Sequence, residues 1–270
     1  MSRIDRSFYD IRYLDTLAQG DSWIHRLDPR AKLITTLIFI LTVVSFDKYA
    51  ITGLLPFVIY PVVLIGAGNL PPAYLLNKIL IIAPFAVLIG LFNPLIDRSV
   101  HLYIGSIGIT GGWISFTSLL IRFILTVGTV LVFIALTSFN GLCIALDQFR
   151  VPSIFIVQLL FLYRYIFVLM EEAVRMSRAR TLRAFSSSGL GLKVFGTLIG
   201  HLLLRTLNRA ERIHLAMSCR GFDGHMRLNH PTGFGAGEIV FVLFWSSLFV
   251  AMRLYNIPLI LGKAITEMLA

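Results

Sequence analysis

The chain has 270 residues, of which 57% are hydrophobic and only 14% are charged. This leaves too little polar material to cover a water-soluble globule of that size, so the composition predicts an all-α integral membrane protein built as a multi-span helix bundle. The formal net charge of +10 comes from Arg and Lys in the polar segments. That pattern is typical of positive-inside topology rather than of nucleic-acid binding, so we expect the lipid bilayer as a partner and no nucleic acid.

The N-terminal part of the chain, residues 1–138, predicts about four transmembrane helices. The first 20 residues contain several charges and no apolar segment of the kind found in signal peptides. We therefore expect no cleaved signal peptide. Asp28 before Pro29 is a strong helix start, and we expect Lys32 to extend its charge toward the membrane surface. The predicted spans are 31–46, 49–67, 78–95 and 113–137. Basic residues before the first span predict a cytoplasmic N-terminus in a multi-pass protein of the inner membrane.

The pattern changes after residue 138. Apolar stretches persist between 139 and 230, but charges interrupt them every 10 to 20 residues. Segment 151–170 could pass for a span by hydropathy, yet Arg164 lies within it and it continues without a break into a basic run. We interpret 151–183 and 192–220 as two long helices of a cytoplasmic module, with apolar sides on the bundle. Residues 231–270 then supply a last transmembrane helix, at 237–255, and a tail.

Charged side chains recur at helical spacing in this module. On a helix, Arg205, Arg209, Arg212 and Arg220 fall within roughly 80° of one another, which predicts a basic edge. Gly221 follows at a position where helices commonly end, so Arg220 should lie in the last turn. On the preceding helix, the sequence predicts i,i+4 pairing of Glu171 with Arg175.

Several motifs together resemble the transmembrane T component of energy-coupling factor transporters, and most closely the cobalt-type CbiQ branch. They are Ala179-Arg180-Thr181, Cys219-Arg220-Gly221, LDPRAKL at 27–33, NLPPAYLLNK at 69–78, FNPLIDR at 92–98 and RAERIHLAM at 209–217. The resemblance covers nearly the whole chain. The combination is much more specific than any single motif.

The resemblance implies a non-catalytic scaffold that couples ATPase movement to a substrate-binding membrane subunit. Arg180 and Arg220 would dock on two cytoplasmic ABC ATPases, supported by the basic edge. The first signature reads Ala-Arg-Thr instead of Ala-Arg-Gly, and Arg178 and Arg183 leave its register open. ATP and Mg would be bound by the ATPases and cobalt by the membrane subunit (the S component), beside which a small accessory membrane subunit can be present. No cofactor is expected on this chain.

Arg122 stands in the middle of the fourth predicted span. A charge there costs at least about 2.5 kcal/mol unless it faces protein or water. We expect a structural role, directed toward the substrate-binding subunit, and the alternative is an ion path.

Other chemistry has little support in the sequence. The histidines are scattered, Cys143 and Cys219 form no CxxC pair, and we find neither a phosphate-binding GxxxxGK[ST] loop nor a Ser/His/Asp arrangement. We therefore expect neither a metal site nor catalysis on this chain. The alternatives are a T component for nickel or a vitamin and an ATP-independent secondary transporter, which should show paired repeats and charges at mid-membrane.

Overall fold

The computed structural model describes residues 13–97, 100–104, 107–183, 192–224, 226 and 235–255. The helices of the first half are α1 (Trp23–Arg26), α2 (Pro29–Val44), the 3₁₀ helix η1 (Thr52–Val58), α3 (Ile59–Ala67), α4 (Pro72–Gly90) and α5 (Phe92–Ile96). Strands β1 (Val100–Ile104) and β2 (Ile107–Thr110) follow. The long helices are α6 (Gly111–Gln148), α7 (Ser153–Arg183), α8 (Leu192–Cys219) and α9 (Ala236–Leu254).

The predicted all-α membrane fold is confirmed. Among the described residues, four helical segments are long and apolar enough to cross a membrane: Pro72–Leu95, Gly111–Gln148, Ser153–Arg183 and Ala236–Leu254. Between α5 and α6, β1 and β2 form an antiparallel hairpin in which Ile104 pairs with Ile107 and Val100 with Thr110.

The first predicted span has its expected length of 16 residues but lies two residues earlier in the chain, and the second is three residues shorter than predicted. Helix α2 has 16 residues, about 24 Å at 1.5 Å per residue, whereas the hydrocarbon core is about 30 Å thick. The second is the composite segment Thr52–Ala67, which begins as a 3₁₀ helix containing Pro56 and continues as α3. Proline lacks the N–H that an α-helix needs at an interior position, which accounts for the irregular start.

Helix α7 meets the length and hydropathy criteria of a membrane span, with a mean hydropathy of 2.0 over its most apolar 18 residues. Arg164 is exposed on it. The continuous helix predicted over 151–183 is confirmed within two residues. Its assignment to a cytoplasmic module stays a prediction.

The start of α2 follows the sequence prediction at its cap. The Asp28 carboxylate accepts from the Arg30 amide at 2.8 Å, and Pro29 takes the first helical position. Lys32 behaves differently from the prediction, since it is only 5% exposed. Its ammonium donates to the carbonyls of His25 at 3.1 Å and Leu136 at 3.0 Å. The charge therefore binds protein carbonyls instead of extending to the membrane surface.

Helix α6 contains a break at Ser138, whose backbone has φ 55° and ψ 161°. A break of this kind leaves the carbonyls just before it without their normal amide donors. The Lys32 ammonium supplies a donor to one of them, Leu136. The buried lysine thus ties the start of α2 to α6 beside its break.

Aromatic side chains form the core around α2, α3 and α9. The Tyr60 ring lies 4.9 Å from that of Phe39, 4.8 Å from that of Trp245 and 5.1 Å from that of Phe249, measured between centroids. All four residues are at most 6% exposed. Offset and edge-to-face pairs at this spacing add to the dispersion energy of the packed helices. The C-terminal helix α9 is thereby fixed against α2.

The turn between α2 and η1, residues 45–51, is held by polar contacts. The Arg253 guanidinium donates to the Ser45 carbonyl at 3.0 Å and lies 4.3 Å from the centre of the Phe46 ring. Tyr49 donates to Asp97, which also pairs with Lys48 at 3.4 Å. The hydrogen bonds to Tyr49 and Asp97 raise the pKa of Lys48, so it stays charged beside Asp97.

Gly112 allows a close approach of two backbones at the start of α6. A Cβ at this position would lie 2.7 Å from the carbonyl oxygens of Asn93 and Asp97. The Gly112 amide donates to the same Asp97 carbonyl at 3.1 Å. A larger residue would separate α6 from the end of α5.

Backbone contacts divide the described residues into two units. One unit contains the described residues of 15–138 and of 231–270, and the other contains those of 139–230 together with Tyr13 and Leu14. The division falls directly after Ser138, the break in α6. The first unit is the helix bundle just described, and the second contains α7 and α8.

We predict that Lys32→Met lowers the stability of the bundle. Methionine has a similar volume but leaves the carbonyls of His25 and Leu136 unsatisfied, at about 1–3 kcal/mol each. The melting temperature in detergent should fall by about 5 °C or more. Lys48→Met, which removes an exposed ammonium, should change it much less. Equal melting of Lys32→Met and the parent chain would contradict this role.

Candidate functional site

Helices α7 and α8 pack against each other in opposite directions. Glu172 of α7 binds Arg205 of α8, whereas residues near the start of α7 face the end of α8 across a shared groove. Glu172 also binds Arg175 on its own helix at 3.1 Å. The predicted partner of Arg175, Glu171, was therefore one residue off. The i,i+3 spacing places Glu172 where it reaches both arginines.

The second arginine signature forms the C-terminal cap of α8. The Gly221 amide donates to the Ser218 carbonyl at 3.0 Å, and the Phe222 amide to the Met217 carbonyl at 3.1 Å. Gly221 has φ +75°, and this set of bonds is the Schellman motif, which requires a left-handed residue. The predicted helix end at Gly221 is confirmed. Arg220 lies one residue beyond the last helical residue and is exposed.

The first signature lies in the last described turn of α7. Ala179 and Thr181 are exposed, and Arg180 is partly buried. The Thr181 hydroxyl donates to the Arg178 carbonyl at 2.8 Å. The Thr181 side chain is thus hydrogen-bonded to its own helix, whereas a glycine at this position would have no side chain beside the backbone. Arg180 and Arg183 both lie in the last turn, so both remain candidates for the contact.

The two signatures lie at opposite ends of the helix pair. Glu172 and Arg205 contact each other partway along the two antiparallel helices. Arg180 lies on one side of this contact, near the end of α7. Arg220 lies on the other side and further away, just past the end of α8. At 1.5 Å per residue, about 35 Å of helix separates the levels of Arg180 and Arg220. One arginine signature therefore lies near each end of the α7–α8 pair.

The arginines of the predicted basic edge make different contacts in the structure. Arg205 is engaged by Glu172, and the Arg212 Nε donates to the carbonyl of Asn208 on its own helix at 3.1 Å. Arg209 forms no ion pair with any residue that the structure describes, and its side chain lines the groove between the helices. The edge therefore joins the helices at Arg205 and faces two cavities at Arg209 and Arg212.

Two cavities meet along the α7–α8 contact. The larger has a volume of about 390 Å³ and is mostly apolar. Its lining includes Phe161, Tyr165, Ile213, Met217 and Phe222. The smaller, of about 310 Å³, is lined by Glu172 and by Arg205, Arg209 and Arg212. Val168, Leu169, Thr206 and Arg209 line both cavities, which are therefore neighbours.

Arg122 contacts the bundle to which it belongs. Its guanidinium donates to the Asp47 carbonyl in the turn that follows α2. Its Nε is buried without a hydrogen-bond partner. This contact lies within the bundle, and both the structural role of Arg122 and its contact with a partner subunit stay predictions.

The described residues contain no group of three or more His, Cys, Asp or Glu side chains that could hold a metal ion. His225 and His230, which are five residues apart in the sequence, lie outside the described residues. His25 has a structural position, since its Nε2 contacts the Leu17 carbonyl at 3.0 Å and its Nδ1 the Ser22 hydroxyl at 2.6 Å. Burial and the nearby Lys32 lower the pKa of His25, which favours the neutral ring.

Two residues of structural importance were missed by the sequence analysis. Lys32 was taken for a surface-directed lysine, although its position four residues after Asp28, in the first turns of a helix, allows an inward direction. Glu172 was passed over in favour of Glu171. Its signal was weak, since the deciding contact is with Arg205, 33 residues away in the chain.

The described residues define an all-α membrane protein with four helices long and apolar enough to cross a bilayer. The comparison of families agrees: residues 20–231 match the CbiQ family, described as cobalt transport protein. The match covers most of the chain, which therefore belongs to this family.

Curated relatives give the same assignment. The chain is 26% identical to the energy-coupling factor transporter transmembrane protein EcfT of Listeria innocua, over 76% of this chain and 82% of that protein. It is 34% identical to the cobalt transport protein CbiQ of Rhodobacter capsulatus, over 31% of this chain and 34% of that protein. An uncharacterised protein of Methanocaldococcus jannaschii is 28% identical over 82% of this chain and 78% of its own length.

We predict that Arg122→Leu destabilises the isolated chain, because it removes the donor to the Asp47 carbonyl in the 45–51 turn. The cost should be about 1–3 kcal/mol, observed as a lower melting temperature in detergent. Arg122→Lys keeps a donor and should recover part of the loss. If Arg122→Leu melted like the parent chain, the arginine would have no structural role in the bundle.

Proposed function

We propose that this protein is the coupling subunit of an energy-coupling factor importer for cobalt ion. In this proposal two cytoplasmic ABC ATPases bind and hydrolyse ATP with Mg, and a substrate-binding membrane subunit carries the cobalt. The α7–α8 pair transmits ATPase movement to that subunit. The observation that supports it most is the placement of one arginine signature near each end of the α7–α8 pair.

Arg180 and Arg220 are the proposed contact points, with Ala179, Thr181, Cys219 and Gly221 forming their surroundings. A separation of about 35 Å between helix levels lets each arginine reach a different ATPase. A guanidinium is always charged and can bind a carboxylate through two parallel hydrogen bonds. The Schellman cap fixes the backbone next to Arg220, so movement of its partner is passed to the whole of α8.

The basic edge supports this arrangement. Arg205 holds α8 against α7 through Glu172, which lets the two helices move as one body. Arg209 and Arg212 lie on the same edge of α8 and add positive charge beside the proposed ATPase contact. Lys at the signature positions would give a point charge without the bidentate geometry.

Cobalt as the substrate rests on the family description and on the name of the Rhodobacter relative. Several EcfT relatives carry no metal in their names, so nickel or a vitamin is the alternative. The proposed membrane subunit would carry the selectivity.

The proposed topology places the N-terminus and the α7–α8 pair on the cytoplasmic side of the inner membrane. The charge distribution supports it, because basic residues precede α2 and dominate the ends of α7 and α8. This orientation puts both arginine signatures where cytoplasmic ATPases can reach them.

We predict that Arg220→Glu uncouples the transporter more severely than Arg220→Ala. Loss of a desolvated charge pair costs about 2 kcal/mol or more, a factor of about 30 in affinity. The glutamate would also be repelled by the acidic residues that we expect on the ATPase surface facing Arg220. Cobalt uptake and ATPase co-purification should both fall when the subunits are expressed together. Membrane insertion of the chain should not change.

Arg164→Glu is the matched control, since Arg164 is an exposed arginine on α7 outside both signatures. It should leave uptake and co-purification near the parent values. Equal effects of Arg164→Glu and Arg220→Glu would mean that total charge, and not the signature, determines assembly.

A further inference from the structure

We propose that the α7–α8 groove binds one anionic phospholipid, with an acyl chain in the apolar cavity and the phosphate among the arginines of the polar cavity. Val168, Leu169, Thr206 and Arg209 belong to both linings, so an apolar space of about 390 Å³ lies next to a polar space of about 310 Å³. An amphiphile with one apolar end and one charged end matches an apolar cavity beside a polar one.

The charges determine the sign of the headgroup. Arg205, Arg209 and Arg212 line the polar cavity together with one carboxylate, that of Glu172. Glu172 binds Arg205, which leaves Arg209 and Arg212 as an excess of positive charge. A headgroup with net negative charge balances this excess. A zwitterionic headgroup carries its own ammonium and balances it less well.

The size of the apolar cavity favours an acyl chain over a helix of a partner protein. A partner helix with its side chains is about 10–12 Å across, which is wide for a cavity of about 390 Å³. An extended acyl chain is much thinner. The cavity also falls within the range of about 300–1,000 Å³ that is typical of small-molecule sites.

The surroundings of the groove allow lipid to reach it. Helix α7 exposes Ile154, Phe155 and Leu162 at 60–70%, and α8 exposes Leu203 and Leu207 at more than half. These apolar surfaces favour contact with acyl chains, and arginines beside them suit the headgroup level. The site would therefore fix the helix pair at a defined depth in the bilayer interface.

Native mass spectrometry of the full chain in detergent tests the site, with phosphatidylglycerol and phosphatidylcholine of equal acyl chains as probes. The parent chain should retain one phosphatidylglycerol with about tenfold preference over phosphatidylcholine, because two arginines lack a countercharge. Arg209→Gln with Arg212→Gln should reduce the preference to about twofold or less. Arg164→Gln, an exposed arginine outside both cavities, should keep the parent preference.

Ala210→Phe tests the apolar part, since Ala210 lines the larger cavity and a phenyl ring would fill part of it. Retention of both lipids should fall several-fold. Glycerol 3-phosphate, which has the headgroup charge without acyl chains, should not displace the bound lipid at millimolar concentration. The double glutamine variant removes only exposed charges and keeps the Glu172–Arg205 pair, so it decides the test even where Ala210→Phe fails to fold.

Three results would overturn the proposal. Equal retention of the two lipids by the parent chain would exclude a site for anionic headgroups. Displacement by glycerol 3-phosphate would leave a simple anion site. Unchanged lipid retention in a folded Ala210→Phe variant, with loss of a co-purified membrane subunit, would assign the groove to a partner helix.

Discussion

A buried lysine connects the start of α2 with α6 in the helix bundle. The Lys32 ammonium, almost completely enclosed, donates to a carbonyl before α2 and to the Leu136 carbonyl of α6. A buried ammonium is costly unless it is hydrogen-bonded, and here its donors satisfy carbonyls that would otherwise lack partners. Leu136 lies two residues before the break at Ser138. Lys32 therefore joins α2 to α6 close in the chain to the residue at which α6 passes from the first unit into the second.

A different electrostatic contact joins the two helices of the second unit. Glu172 binds arginines on both α7 and α8, and the apolar groove lies next to this cluster. The contact is partly exposed, so its contribution to stability is modest and falls with salt. Its importance is geometric: it sets the register of two helices whose basic ends are far apart. Under the proposed function, this register determines where Arg180 and Arg220 meet their partners.

Local rules predicted much of the fold from the sequence. The Asp28–Pro29 start, the long helices over 153–183 and 192–219, and the end of α8 at Gly221 follow from capping, periodicity and left-handed glycine. The end of α2 was harder to predict, because apolar residues continue to Phe46 while the helix ends at Val44.

The long-range contacts could not be predicted from local rules. Lys32 reaches across 104 residues to Leu136, and Arg205 reaches across 33 to Glu172. Neither pair has a spacing signal in one sequence. Arg122 shows the same limit: its position in a span indicated a need for a partner, but not that the partner is the Asp47 carbonyl. The site residues were found through motifs, and their surroundings only through the structure.

The central claim is that Arg180 and Arg220 transmit ATPase movement. The most direct measurement is cobalt uptake by membranes that contain the double variant Arg180→Ala with Arg220→Ala, compared with the amount of inserted chain in the same membranes. The account predicts that uptake is almost abolished while insertion stays near the parent level, because the proposed contacts of both arginines are with the ATPases. Normal uptake by the double variant would contradict the account.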